Sequence, residues 1–175
     1  MNEDVSDSLS GVVPRAIATG GVDARSRPSP RRPDRPIGRR GADLLAGVPL
    51  FSGLSKRQLR RLAEHADVAT FREREAIVKE GQLGGTFFVI LEGETKVVRG
   101  GRTINRLSPG DFFGEISLLD GGPRTADVVA TTPVSTIRVF KGAFDRMLAE
   151  EPGVAAKILA VVARRLRDSE RSLTH

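Results

Sequence analysis

The chain has 175 residues and a formal net charge of +6, with 39% hydrophobic residues and no cysteine. That is apolar material for one core of ordinary size, and it excludes a disulfide framework and a thiolate metal site. No apolar run approaches the ~20 residues of a membrane-spanning helix, and the acidic start Met1-Asn2-Glu3-Asp4 lacks a signal peptide's apolar centre, so a cytoplasmic location is expected.

The first 40 residues stand apart from the rest. They hold eight arginines and five acidic residues, a net +3. Seven of those arginines fall between Arg25 and Arg40, mixed with Pro28, Pro30, Pro33 and Pro36. Such a stretch has little apolar surface to bury, and the composition predicts a segment without fixed structure over 1–40. Its charge suits an anionic partner, or a simple solubilising leader. It holds no Phe for base stacking.

The ordered part is expected from Gly41. Leu54-Ser55-Lys56-Arg57-Gln58-Leu59 reads as a capping box, with Ser55 at the N-cap and Gln58 three residues on. The helix it opens is expected to reach about His65, with Leu59, Leu62 and Ala63 on one face. From Glu75 to Phe140 short β-rich runs alternate with glycine: Ala76–Lys79, Thr86–Leu91, Thr95–Arg99, Thr103–Leu107, Asp127–Thr131 and Val134–Phe140. Arg99-Gly100-Gly101-Arg102 is a two-residue hairpin signal. Many short strands at close spacing predict a sandwich or barrel.

After Phe140 the pattern is helical again, with Phe144, Met147 and Leu148 on one face. Pro152-Gly153 is expected to break this helix. A last helix follows from about Val154 to Arg171, with Val154, Ile158, Val161, Val162 and Leu166 as its apolar stripe. That stripe suits packing on the strands, or a seam between two copies.

The chemistry concentrates in residues 112–126, Phe-Phe-Gly-Glu-Ile-Ser-Leu-Leu-Asp-Gly-Gly-Pro-Arg-Thr-Ala. Gly114 lets backbone approach a ligand closely. The amides that follow open a helical turn whose first N–H groups lack partners and attract an anion. Arg124 supplies a permanently charged planar fork for phosphate oxygens. Glu115 repels phosphate but suits a hydroxyl donor beside it, as a ribose offers. Phosphate plus ribose indicates a nucleotide.

These residues resemble the phosphate-binding cassette of the cyclic nucleotide-binding domain family, the type found in the catabolite activator protein and in regulatory subunits of protein kinase A. Phe113-Gly114-Glu115-Ile116-Ser117-Leu118-Leu119 and Pro123-Arg124-Thr125-Ala126 carry the match. Pro49-Leu50-Phe51, Glu80-Gly81, Phe87-Phe88-Val89-Ile90, Glu92-Gly93 and Pro109-Gly110-Asp111 extend it over roughly residues 42–172. The resemblance implies a mainly β fold, an eight-stranded jelly-roll-like barrel with N-terminal and C-terminal helices, in a domain at 41–172 followed by a short end at 173–175. It implies that Glu115 accepts from the ribose 2′-OH and that Arg124 pairs with the cyclic phosphate. The amides of Gly114, Glu115 and Ile116, with Thr125, would complete the cradle.

The purine is less sharply specified. Thr125 matches the Thr that family members selective for cGMP often carry. Asn105 stands where those members often add an Arg. Ala163-Arg164-Arg165-Leu166 resembles the last helix of the catabolite activator protein, and counting on places Ser169 and Glu170 at its adenine-contacting hydroxyl pair. The expected ligand is therefore cAMP, with cGMP as the alternative. There is no Trp or Tyr to lid the base.

No helix-turn-helix, kinase or channel segment is recognisable, and the two histidines, His65 and His175, fall outside the strands. The expectation is a stand-alone regulatory binding module, not an enzyme. It would signal to an unidentified protein partner, as a monomer or as a homodimer through the last helix. The alternatives are a barrel that has lost its ligand and acts as an interaction scaffold, and a metal-dependent cupin-like enzyme, which would need a His cluster on the strands.

Overall fold

The computed structural model describes residues 35–36 and 41–173. Helix α1 (Gly41–Ala46) and a 3₁₀ turn (Pro49–Phe51) lead into α2 (Lys56–Ala63). The capping box is formed: Ser55 Oγ accepts from the Gln58 amide at 3.2 Å, and Gln58 Oε1 accepts from the Ser55 amide at 2.6 Å. Leu59, Leu62 and Ala63 are buried as the periodicity demands. The helix ends two residues short of His65, because the chain is already extending into a strand at Ala66.

That strand, β2 (Ala66–Phe71), is absent from the sequence-based expectation. Ala-Asp-Val-Ala-Thr-Phe has weak strand character. Pairing fixes it instead: six consecutive residues run antiparallel to β9, with Ala66, Ala69 and Phe71 buried. The remaining strands are β3 (Ala76–Val78), β4 (Thr86–Glu92), β5 (Thr95–Arg99), β6 (Arg102–Leu107), β7 (Phe112–Phe113), β8 (Asp127–Ala130) and β9 (Val134–Phe140). The β5–β6 turn pairs Arg99 with Arg102 and sets both Gly100 and Gly101 at positive φ, 54° and 77°, as a two-residue hairpin of the primed type requires.

A two-residue strand, β1 (Arg35–Pro36), precedes them all and pairs with Asp67 and Val68 on the edge of β2. It lies inside the stretch expected to lack structure. Proline has no N–H to give a ladder and is tolerated at such an edge. The rest of 1–40 lies outside the described residues, as do 174–175.

The strands form two antiparallel sheets, in the orders β1-β2-β9-β4-β7 and β3-β8-β5-β6. The eight strands β2–β9 are the expected jelly roll. It is not a closed barrel, since no ladder among the described residues joins the two sheets. One core lies between the sheets and includes Phe71, Ile77, Phe88, Ile90, Leu107 and Phe113. The other lies between the larger sheet and the helices and includes Phe51, Phe87, Val89, Ile137, Val139 and Phe144. Strand β4 serves both, so Phe87-Phe88-Val89-Ile90 is buried on both faces.

Helix α3 (Glu115–Asp120) links β7 to the loop before β8, and α4 (Lys141–Glu150) and α5 (Pro152–Leu173) close the chain. The expected break at Pro152-Gly153 falls one residue earlier. Glu151 turns the corner at φ −125°, ψ 78°, and both Pro152 and Gly153 belong to α5. A proline in the first turn loses no bond, because that N–H has no helical partner anyway. Val154 and Ile158 are 2% exposed, and Val161 and Val162 pack partly on the core. Leu159 and Leu166 stay exposed, so the stripe packs inward only over the first half of the helix.

Candidate functional site

The turn from β7 into α3 builds one wall of the site. Gly114 sits at φ +87°, ψ −1°, where side chains are strained. A Cβ there would also lie 2.7 Å from both Arg124 Nη1 and Thr86 O. Glycine is thus required twice over. Glu115 follows as the first residue of α3 and is 1% exposed.

Arg124 is held from both ends. Its amide donates to Gln82 O and its carbonyl accepts from the Gly81 amide, each at 2.8 Å. Its guanidinium donates to Gly114 O at 3.0 Å and Thr86 O at 2.8 Å. Gly84 backs the same group: a Cβ on Gly84 would fall 2.1 Å from Arg124 Nε. Burial pushes this guanidinium below its usual pKa, and the Glu115 carboxylate opposes that shift. An arginine starts so high that the charge is retained.

The second wall comes from α5. Arg165 Nη1 pairs with Glu115 Oε1 at 2.7 Å, its other terminal nitrogen donates to Phe112 O, and its guanidinium stands 5.2 Å over the Phe112 ring. Glu115, the acid expected to face a ribose, therefore also ties the last helix to the cassette. Asp168 and Ser169 lie three and four residues further on, and so share a helical face with Arg165.

Between the walls is a cleft of about 240 Å³. Its apolar floor comes from the smaller sheet and β7, through Val97, Leu107, Val128 and Phe113. Gly114, Glu115, Ile116, Arg124, Thr125 and Ser169, the six residues singled out from the sequence, all line it. Asn105 lines it too, with its side-chain oxygen accepting from the Arg106 amide at 2.8 Å. Ser117, left unassigned from sequence, is buried on the same wall. Arg99 reaches the mouth and donates to Thr125 O at 3.0 Å.

Arg165 is the residue that reading the sequence as a binding motif passes over. Its signal was present in Ala163-Arg164-Arg165-Leu166, a tetrad weighed only for the hydroxyls after it. Among the described residues no group of three or more His or acidic side chains is placed to hold a metal ion. None of the described helices is long and apolar enough to cross a membrane.

Comparison with known proteins is decisive at this point. Residues 68–151 match the model of the cyclic nucleotide-binding domain. The chain carries a cyclic nucleotide-binding domain. It is 34% identical over 114 residues to a cAMP-dependent protein kinase regulatory subunit of Colletotrichum orbiculare, a match covering 64% of this chain and 29% of that protein. It is similar to the crystal structure of the Thermus thermophilus catabolite activator protein, at 31% identity and a TM-score of 0.63, covering 72% of this chain and 62% of that one. A structure of the regulatory subunit of a cAMP-independent protein kinase A from Trypanosoma cruzi, bound to guanosine, matches at 29% identity and a TM-score of 0.59, covering 66% of this chain and 42% of that one. The chain thus spans less than two thirds of the length of each of these relatives.

Proposed function

We propose that this domain is a regulatory sensor of a cyclic purine nucleotide, with cAMP preferred over cGMP, acting in the cytoplasm as a binding module and not as an enzyme. The observation that carries the reading is the meeting of a buried arginine and a buried carboxylate in one apolar-floored cleft. Arg124 and the first amides of α3 receive the phosphate. One cyclic phosphodiester carries a single charge, which one guanidinium and a helical terminus balance. Glu115 keeps one oxygen on Arg165 and offers the other to the ribose 2′-hydroxyl. Thr125 completes the phosphate contacts. The purine lies over Val97, Leu107 and Val128, with Ser169 reaching its edge.

Asn105 and Ser169 support the choice of adenine. Asn105 brings no cation to a guanine carbonyl, and a hydroxyl at Ser169 can accept from the adenine amino group. The guanosine-bound relative and the position of Thr125 favour a second reading, in which guanine is taken instead. Titration calorimetry with cAMP, cGMP, 5′-AMP and guanosine separates these. Saturable cAMP binding, weaker cGMP binding and little response to 5′-AMP are expected. Preference for cGMP or guanosine would support the second reading. No binding of any of the four would leave the interaction scaffold.

The output runs through α5. Nucleotide draws the far half of the helix onto the cleft through Arg165 and Ser169, while buried Val154 and Ile158 keep its near end anchored, and a protein partner reads the new position. Leu159 and Leu166 are exposed and seven residues apart on this helix. That spacing supports a homodimer through α5, which sedimentation velocity of wild type and Leu166→Glu would check.

A further inference from the structure

A second concavity, of about 200 Å³, lies between α2 and α4 and shares no lining residue with the nucleotide cleft. Its floor is apolar. Leu62, Ala143 and Met147 are buried members of the core, and Leu54 packs partly against the same core. Two polar links span its walls: Gln58 Nε2 donates to Glu151 Oε1 at 2.5 Å, and Arg61 pairs with Glu150 at 3.2 Å. Both acids at the end of α4 are therefore engaged.

Apart from Arg61, the cations around this concavity are not. Arg146 lines it from α4, is exposed, and has no partner among the described residues. Arg57 sits one turn before Arg61 on α2, outside the lining itself, and is likewise exposed and unpaired among those residues. Lys56 and Arg60 extend the charge. Helix α2 thus carries four cations in six residues, with like charges at i,i+4 spacing (Lys56 with Arg60, Arg57 with Arg61). Such pairs weaken a helix, and of the four only Arg61 is repaid by an ion pair, the one to Glu150.

We propose that this concavity docks an acidic segment of a partner protein, which seats one bulky apolar side chain between α2 and α4 and sets carboxylates against Arg57 and Arg146. The apolar floor is recessed below a charged rim, a shape that accepts a projecting side chain and that a membrane surface would not fill. A phosphate backbone has no apolar group to enter that recess, and no Phe lines it for base stacking. Charge complementarity therefore selects an acidic polypeptide. Its seat includes Glu151, the corner from which α5 departs. The proposal does not depend on which nucleotide the other cleft takes.

The test uses the full chain, isotopically labelled, titrated with a blocked peptide that places one phenylalanine between two pairs of glutamates. Saturable amide shifts at Leu54, Leu62, Ala143 and Met147 are expected. Replacing the phenylalanine by alanine weakens binding about tenfold or more, and the lysine-flanked peptide does not bind. The double variant Arg57→Glu, Arg146→Glu loses about tenfold or more in peptide affinity while its cAMP titration matches wild type. Arg57→Gln with Arg146→Gln repeats the loss with less perturbation if charge reversal impairs folding. Absence of saturable shifts, shifts mapping elsewhere, or indifference to the alanine peptide or to both double variants overturns the proposal. Flotation with phosphatidylserine vesicles that the double variants abolish, without peptide binding, would overturn it in favour of a membrane.

Discussion

The two walls of the proposed nucleotide cleft are built to different standards. The cassette wall is over-determined: Arg124 is fixed by two backbone bonds and two side-chain bonds, and Gly84 and Gly114 are the residues that leave it room. The helix wall is anchored at its near end by Val154 and Ile158, which are 2% exposed, and by Lys157, which donates to Pro49 O and Ser52. Its far half meets the cassette through Arg165, while Leu166 faces out. A rigid wall preserves recognition, because the ligand spends little free energy ordering it. A wall tied to the cassette by a partly solvated ion pair is one that a ligand can shift. On the proposed function, the contrast puts recognition in 113–126 and response in the far half of α5.

The largest expected effect strikes the rigid wall. Arg124→Ala should weaken cAMP binding by about 2–5 kcal/mol, the range for removing one partner of a buried charged pair. Arg124→Lys should restore only part, since the fork geometry is lost. The protein should remain folded, because the backbone bonds of residue 124 to Gly81 and Gln82 survive either change. Calorimetry beside thermal melts checks both statements, and wild-type affinity in Arg124→Ala would remove the phosphate from this wall.

Arg165→Ala strikes the helix wall and should cost less. It leaves Glu115 buried without its cation, but a quarter of the Arg165 side chain reaches solvent. The expected loss of cAMP affinity is about 1–2 kcal/mol, below the range for a fully buried pair. The distinguishing sign is local: amide exchange beyond Val162 should quicken, while β4 and β9 keep wild-type protection. Uniform quickening would mean that Arg165 supports the whole fold and that the contrast between the walls is false.

Ser169→Ala should be the mildest change. Loss of one hydrogen bond to the base costs about 0.5–1.5 kcal/mol, and it should fall on cAMP while sparing cGMP. Competition binding with both nucleotides reads this directly, and an equal loss for the two would take Ser169 off the purine.

What the sequence disclosed follows the same division. The cassette, the capping box at Ser55 and the Arg99–Arg102 hairpin depend on local residues with fixed conformational demands, so they were readable in order. Strand β2 was not readable, because Ala66–Phe71 owes its extension to β9, a partner more than sixty residues away. The role of Arg165 was hidden for the same reason, fifty residues from the carboxylate it holds. The helix break was misplaced by one residue because Pro152 marks the start of a helix as readily as the end of one. All six chosen site residues converge on one cleft, yet the pair that couples its two walls appears only in three dimensions.

Nucleotide recognised by the cassette is proposed to act on α5. Hydrogen exchange with and without saturating cAMP tests it in one measurement. Protection should rise in residues 113–126 and also along α5 from Val161 to Arg171, beyond any change in β2 or β9. Protection confined to 113–126, with α5 unchanged at saturation, would contradict it.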